Sequence, residues 1–215
     1  PVERAAPLTA YLQVAGYSVL EMPMLSLQPR EVLAADITIM RHWLTGHYNA
    51  LVIVSPTAAA SGLAVWQTLA KDPDFKMESS VYNPSNSAII AVGDATAAVL
   101  RAANIPVLQP LIANNEGMLA MPEIERLQTG DKMLIWRGLG GRRLLVDTLQ
   151  KRGVYIDSIA WYERTMPTSA ASNYVKWSQI YVANSTNFSK QQSKPIVIIS
   201  SGTAFEHWIT VVKQA

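Results

Sequence analysis

The residues from Met133 to Thr165 carry the densest set of groups able to do chemistry. An apolar run, Met133-Leu134-Ile135-Trp136, meets the turn Gly138-Leu139-Gly140-Gly141. An amphipathic segment with Leu145, Val146 and Leu149 follows, stopped by Lys151-Arg152-Gly153. A second apolar run extends from Val154 to Tyr162. Strand, turn, helix, glycine stop and strand make one βαβ unit. Basic groups gather in it at Arg137, Arg142, Arg143, Lys151 and Arg152, and two of them flank the helix start, where backbone N–H groups also point outward. The chemistry this suits is the holding of an anion at the end of the first strand. The unit departs from the two familiar phosphate loops. Gly138-x-Gly140 opens like a dinucleotide fingerprint, but position 143 is arginine, and no Gly-Lys-Ser/Thr follows. An ordinary tight turn with a weak anion preference is the commoner outcome for such a loop.

Composition restricts the function classes. The chain has 215 residues, enough for one large or two small domains. It is 49% hydrophobic and 16% charged, which supports a sizeable core and argues against disorder. A net charge of +2, without basic runs interleaved with aromatics, gives no reason to expect a nucleic-acid partner. There is no cysteine, so disulfides and thiolate chemistry are excluded. No apolar stretch approaches the roughly 20 residues of a membrane helix. The chain opens Pro1-Val2-Glu3-Arg4, without an initiator methionine or signal-peptide pattern, and a cytoplasmic location is the default expectation. His42 and His47 are five apart, a poor spacing for one helix face, and His207 is remote in sequence, so no metal is expected.

The elements that must position these groups alternate. Helices are expected over Pro7–Ala15, Asp36–Thr45 (Trp43 and Leu44 inward), Pro56–Leu69, Ala95–Ala103, Asn115–Leu127 limited by Pro122, Ser169–Gln179 and Thr203–Lys213. Pro56 stands at the first-turn position that suits proline. Strands are expected over Tyr17–Met22, Ala50–Val54, Ala88–Val92, Val107–Pro110 and Ile196–Ile199, besides the two of the βαβ unit. Pro23–Pro29, Lys71–Ser87 and Tyr181–Pro195 read as irregular or loop segments. Alternating strands and helices imply an α/β fold with parallel sheet.

Two segments resemble each other. Val52-Ile53-Val54-Ser55-Pro56-Thr57-Ala58-Ala59 aligns with Val197-Ile198-Ile199-Ser200-Ser201-Gly202-Thr203-Ala204. Each is an apolar run ending in serine before a helix start, which suggests two similar α/β domains. Ligands of such sheets lie beyond the carboxyl ends of the strands, where Ser55, Gly93, Gly138 and Ser200 fall. An ordinary N-cap explains both serines equally well.

Taken in order, several short motifs resemble the uroporphyrinogen-III synthase family. They are Glu3-Arg4, Gly16-Tyr17, Val54-Ser55-Pro56, Ala91-Val92-Gly93-Asp94-Ala95-Thr96-Ala97, Asn115-Glu116-Gly117, the βαβ unit ending Trp161-Tyr162-Glu163-Arg164, and Ile199-Ser200-Ser201-Gly202. Each motif is weak alone; their order and spacing cover essentially the whole chain.

The resemblance implies two parallel-sheet α/β domains joined by a two-stranded extended linker, with the active site in the cleft between them. Residues 1–28 plus 167–215 would form domain 1 and residues 29–166 domain 2, with crossings near Leu27 to Arg30 and Met166 to Thr168. It implies cyclisation of hydroxymethylbilane, a linear tetrapyrrole, with loss of its terminal hydroxyl and inversion of the last ring through azafulvene and spiro intermediates. No cofactor or metal is implied, and a monomer is the default. By motif position Tyr162 would assist loss of the hydroxyl. Ser55, Thr96, Gly138, Arg142, Ser200, Ser201 and Gly202 would bind the substrate, whose carboxylate rim suits helix N-termini and arginines. Thr57 stands where many relatives have a basic residue. An opening strand before Pro1 and a further turn after Ala215 are also implied, so domain 1 is expected to be incomplete at both ends. A non-catalytic two-lobed small-ligand-binding protein would share this layout.

Overall fold

The computed structural model describes residues 2–72, 87–187 and 195–214. Contacts divide the chain into two units, Pro1–Gln28 with Arg164–Ala215, and Pro29–Glu163.

The second unit is built on parallel strands. β2 (Ala50–Ile53), β3 (Ala88–Ala91), β4 (Lys132–Gly138) and β5 (Tyr155–Thr165) belong to a five-stranded sheet of order β1-β5-β4-β2-β3, with β1 (Ser26–Pro29) at one edge. β2 pairs in parallel with both β3 and β4, placing Val52 opposite Ile90 and Ile135. All four residues of β2 are buried, as a continuous apolar run in a strand covered on both faces requires. The strand expected at Val107–Pro110 is reduced to one bridge between Leu108 and Ile90.

Alternation assigns the two faces of the sheet. On one, Val52, Ile90, Met133 and Ile135 pack with Met118 of α5 (Asn115–Leu119), Ile124 of α6 (Pro122–Glu125), and Leu145 and Leu149 of α7 (Leu144–Lys151). The single helix expected over Asn115–Leu127 is therefore two, because Pro122 starts a new one at its first turn. α7 ends as Gly153 predicts. That glycine has φ +82°, and the Val154 N–H donates to the Leu149 carbonyl at 3.1 Å, a Schellman closure that sends the chain straight into β5.

On the other face, α3 (Pro56–Leu69) lies on Trp136. A Cβ at Gly62 would overlap the Trp136 ring, so the glycine sets how closely helix and sheet approach. Trp136 meets Trp43 of α2 (Ala34–Leu44) edge-on at 5.4 Å and Trp161 at 6.0 Å, and Trp43 meets Trp66 at 4.7 Å. Such pairs add about 0.5–1.5 kcal/mol each beyond burial. They work against a cost: the Trp136 and Trp161 indole N–H groups are buried without a partner among the described residues. α4 (Asp94–Ala102) packs on α3.

The first unit holds α1 (Val2–Val14), α8 (Ala170–Asn187) and α9 (Gly202–Gln214). Among the described residues its core holds Met24, Ala170 and Val211, with Met22, Tyr174, Ala204 and Trp208 packed against them. Two expected strands are corrected here. Neither Tyr17–Met22 nor Ile196–Ile199 is a strand, and Ile196 to Ile199 are exposed. A strand exists only as part of a ladder, and no described strand runs beside either segment. Ser26–Pro29, expected to be irregular, is a strand because it pairs at the sheet edge, where Pro29 is tolerated. α8 also outruns its expected end at Gln179 and takes in residues 181–187 of the expected loop. Trp177 and Tyr181, one helical turn apart, stack at 5.5 Å across that boundary. Most of the loop expected over Lys71–Ser87, and residues 188–194, lie outside the described residues. No described helix is long and apolar enough to cross a membrane.

Candidate active site

Because β2, β3, β4 and β5 are parallel, their carboxyl ends share one edge of the sheet, and the chemistry-bearing residues of the second unit collect there. β2 leads to Ser55, the N-cap of α3. Its extended backbone (φ −160°) lets Oγ accept from the Ala58 N–H at 3.1 Å, with Pro56 at the first helical position.

β4 and β5 shift register between Arg137 and Gly138, which sets Gly138 opposite Tyr162. The Tyr162 ring occupies the space a side chain at 138 would need: a Cβ there would lie 2.6 Å from ring atoms Cε2 and Cζ. Gly138 is thus the seat of an aromatic ring and not a phosphate-loop glycine. The Tyr162 hydroxyl then donates to Ser55 Oγ at 3.0 Å, in a buried bond that joins β5 to the start of α3. Tyr162 is 2% and Ser55 8% exposed. Ser55, Gly138 and Tyr162 form one cluster.

The turn after β4 is held from within. Arg137 donates from Nε to the Gly138 carbonyl at 3.3 Å and from Nη2 to the Gly140 carbonyl, across glycines at φ +75° and +97°. Leu139 N–H donates to the Tyr162 carbonyl at 2.7 Å. Arg142 is exposed in this turn, two residues before α7, and makes no ion pair among the described residues. The neighbouring Arg143 pairs with Asp147 at 3.0 Å.

Thr96 lies in the first turn of α4, 4% exposed, with its N–H on the Gly93 carbonyl at 3.0 Å. It occupies the same edge but is not hydrogen-bonded to the Tyr162 cluster. Thr57 is half-buried in the first turn of α3. Ser200, Ser201 and Gly202 belong to the other unit. Ser200 is exposed, and Ser201 Oγ accepts from the Ala204 N–H at 3.5 Å at the start of α9. The internal similarity therefore shifts by one residue: Ser201, not Ser200, takes the capping role that Ser55 takes in α3.

Sequence reasoning missed the Ser55–Tyr162 bond and the seating of Tyr162 on Gly138. It also missed Tyr48, whose hydroxyl donates to Asp157 at 2.6 Å. Burial, then the Asp157 hydrogen bond and charge, hold the Tyr48 phenol well above its ordinary range. Tyr48 precedes β2, at the opposite end of the sheet from Ser55, and is a structural clasp. His42 and His47 do meet, with ring centroids 5.2 Å apart, because the chain turns between them at Gly46 (φ +81°). Among the described residues no three His, Asp or Glu side chains gather at a metal position.

The family model described as uroporphyrinogen-III synthase HemD matches residues 6–215. Among solved structures, a mutant uroporphyrinogen III synthase from Thermus thermophilus is similar at 15% identity and a TM-score of 0.56, over 79% of this chain and 62% of that one. The wild-type protein from the same bacterium, in another crystal form, is similar at 14% identity and a TM-score of 0.50, over 82% of this chain and 64% of that one. These likenesses concern the fold: a mixed α/β chain with a five-stranded, largely parallel sheet. The chain spans less than two thirds of the length of either structure.

Proposed function

The chain belongs to the uroporphyrinogen-III synthase family, and from that premise we propose that it cyclises hydroxymethylbilane to uroporphyrinogen III. The reaction removes the terminal hydroxyl as water, inverts the last pyrrole ring through a spiro intermediate and closes the macrocycle, without cofactor or metal. Residues 1–28 with 167–215 and residues 29–166 act as the two domains, joined by an extended two-stranded linker, and the substrate is taken between them as a monomeric enzyme would take it. A cytoplasmic location is part of the same reading.

The observation that carries the reading beyond family membership is the Tyr162–Ser55 hydrogen bond at the carboxyl edge of the sheet. It supports the reading because two bonded hydroxyls at that edge are suited to donate a proton, and open α/β sheets meet their ligands there. Arg142 supports it as an exposed cation for a rim carboxylate, and the N-termini of α3 and α4 add partial positive charge beside Ser55 and Thr96. Ser200, Ser201 and Gly202 supply the first unit's share of the binding surface. Hydroxymethylbilane loses its hydroxyl readily, so orientation supplies much of the catalysis. Tyr162 assists departure of the hydroxyl without being indispensable. Tyr162→Phe is expected to lower turnover by about 10²-fold or less, the low end for a positioned acid, with isomer III still formed.

The test is incubation with enzymatically generated hydroxymethylbilane and separation of the isomers. Isomer III above the spontaneous background of isomer I supports the reading. Isomer I alone from folded protein overturns it and leaves a two-lobed binding protein as the description of the chain.

A further inference from the structure

Ser55 Oγ has two acceptor positions and one proton. Both acceptor positions are filled, by the Ala58 N–H at 3.1 Å and the Tyr162 hydroxyl at 3.0 Å. With the Tyr162 hydroxyl donating to Ser55, the proton that this bond leaves unused is that of Ser55. Of the two hydroxyl residues, Ser55 is the more exposed, at 8% against 2%. It also caps a 14-residue helix, whose positive end favours the transient negative charge that a proton-donating oxygen acquires.

We propose that Ser55 is the catalytic residue that protonates the departing hydroxyl, and that Tyr162 acts behind it, positioning Ser55 and resupplying its proton. The inference rests on the functional reading given above. The substrate C–O bond breaks with its electron pair going to oxygen, and the pyrrole nitrogen lone pair forms the azafulvenium. The Ser55 proton converts the departing oxygen to water while the Tyr162 proton moves to Ser55 Oγ. The resulting phenolate is balanced by the azafulvenium cation. Ring closure later expels a proton from the attacked pyrrole carbon, and that proton returns through Ser55 to Tyr162. The proton count closes over one turnover, and no other reactant is consumed.

Turnover on hydroxymethylbilane is to be measured for the wild type, Ser55→Ala, Tyr162→Phe, the double variant and Ser55→Thr, each with a thermal melt, together with the dependence of wild-type and Tyr162→Phe turnover on deuterium content. The relay requires Ser55→Ala to lose at least as much turnover as Tyr162→Phe, by about 10-fold or more. It requires the double variant to lose no more than the worse single variant, and Ser55→Thr, which keeps both cap and hydroxyl, to recover most of the loss. Two protons in flight make the wild-type deuterium dependence curved, and Tyr162→Phe makes it linear. Ser55→Ala turning over like wild type while Tyr162→Phe falls would overturn the relay and put Tyr162 directly on the substrate. Multiplying losses, or a linear wild-type dependence, would overturn it too. Ser55→Ala also removes the N-cap of α3, so if it fails to fold the deuterium measurement decides. A wild type yielding isomer I alone overturns both the function and the relay; isomer III from the wild type with unaffected Ser55 variants overturns the relay alone.

Discussion

The Tyr162 ring fills the space where a Gly138 side chain would be, 2.6 Å from an ideal Cβ position, so the two residues are a matched pair across β4 and β5. Gly138→Ala should displace the ring and break its bond to Ser55. Overpacking typically costs about 1–3 kcal/mol, and the added methyl meets a buried ring held on its far side by Ser55. The expected result is a lower melting temperature together with lower turnover. In a Tyr162→Ala background the same substitution should cost far less stability, because the clash is gone; a double-mutant cycle with no coupling would contradict the pairing.

Arg142 is exposed and makes no ion pair among the described residues. Arg142→Ala should therefore leave stability within about 0.5 kcal/mol of wild type. If it holds a rim carboxylate as proposed, Arg142→Ala should raise KM for hydroxymethylbilane more than it lowers kcat, since that contact is the same in ground and transition states. A collapse of kcat at unchanged KM would mean that the arginine acts on the reacting ring.

At Gly62 two effects oppose each other. Alanine is better than glycine in a helix by about 1 kcal/mol. The added Cβ, however, overlaps the Trp136 ring, which is fully buried in the central layer and cannot retreat. The clash should win, and Gly62→Ala should unfold at lower denaturant concentration than wild type. A rise in the midpoint would show that α3 can lift off the sheet at little cost.

Tyr48 gives a pH prediction. Its folded-state pKa lies above the unfolded value of about 10, because burial and Asp157 both disfavour the phenolate. The contribution is fully present below that unfolded value and is lost as pH rises above it, since the unfolded state then releases a proton that the folded state keeps. Tyr48→Phe should cost about 1–2 kcal/mol at pH 7, the range of a hydrogen bond to a carboxylate with an exposed partner. The gap between wild type and variant, followed by urea titration, should shrink between about pH 10 and 11. A gap independent of pH would mean that the clasp contributes through packing alone.

Much of the second unit was legible in the sequence, and the reasons are local. Ser55-Pro56 announces a helix start, and α3 begins and ends at Pro56 and Leu69 as read. β2 and β3 are short uninterrupted apolar runs and β4 holds one from Met133 to Trp136, the pattern of strands covered on both faces. The family resemblance drawn from these same motifs is borne out by the match over residues 6–215. Where the outcome depends on partners, the sequence is silent. Ile196–Ile199 has the composition of a strand and is none, because a ladder needs a neighbour. The Ser55–Tyr162 bond joins residues 107 apart, and nothing local to either one announces the other. The capping role of Ser55 is visible in its surroundings; its second acceptor role is not.

The first unit is discontinuous in the chain, so its two parts are not made together. Residues of the first unit come from both sides of the second: Pro1–Gln28 precede Pro29–Glu163, and Arg164–Ala215 follow them. At ribosomal speeds of about 5–20 residues per second, the intervening 135 residues take roughly 7–27 s to synthesise. Through that interval Met22 and Met24 lack Ala170, Tyr174, Ala204, Trp208 and Val211, the residues they pack with in the finished chain. Met22 and Met24 thus wait for these partners while the strands of the second unit are still being made, β5 (Tyr155–Thr165) last of all.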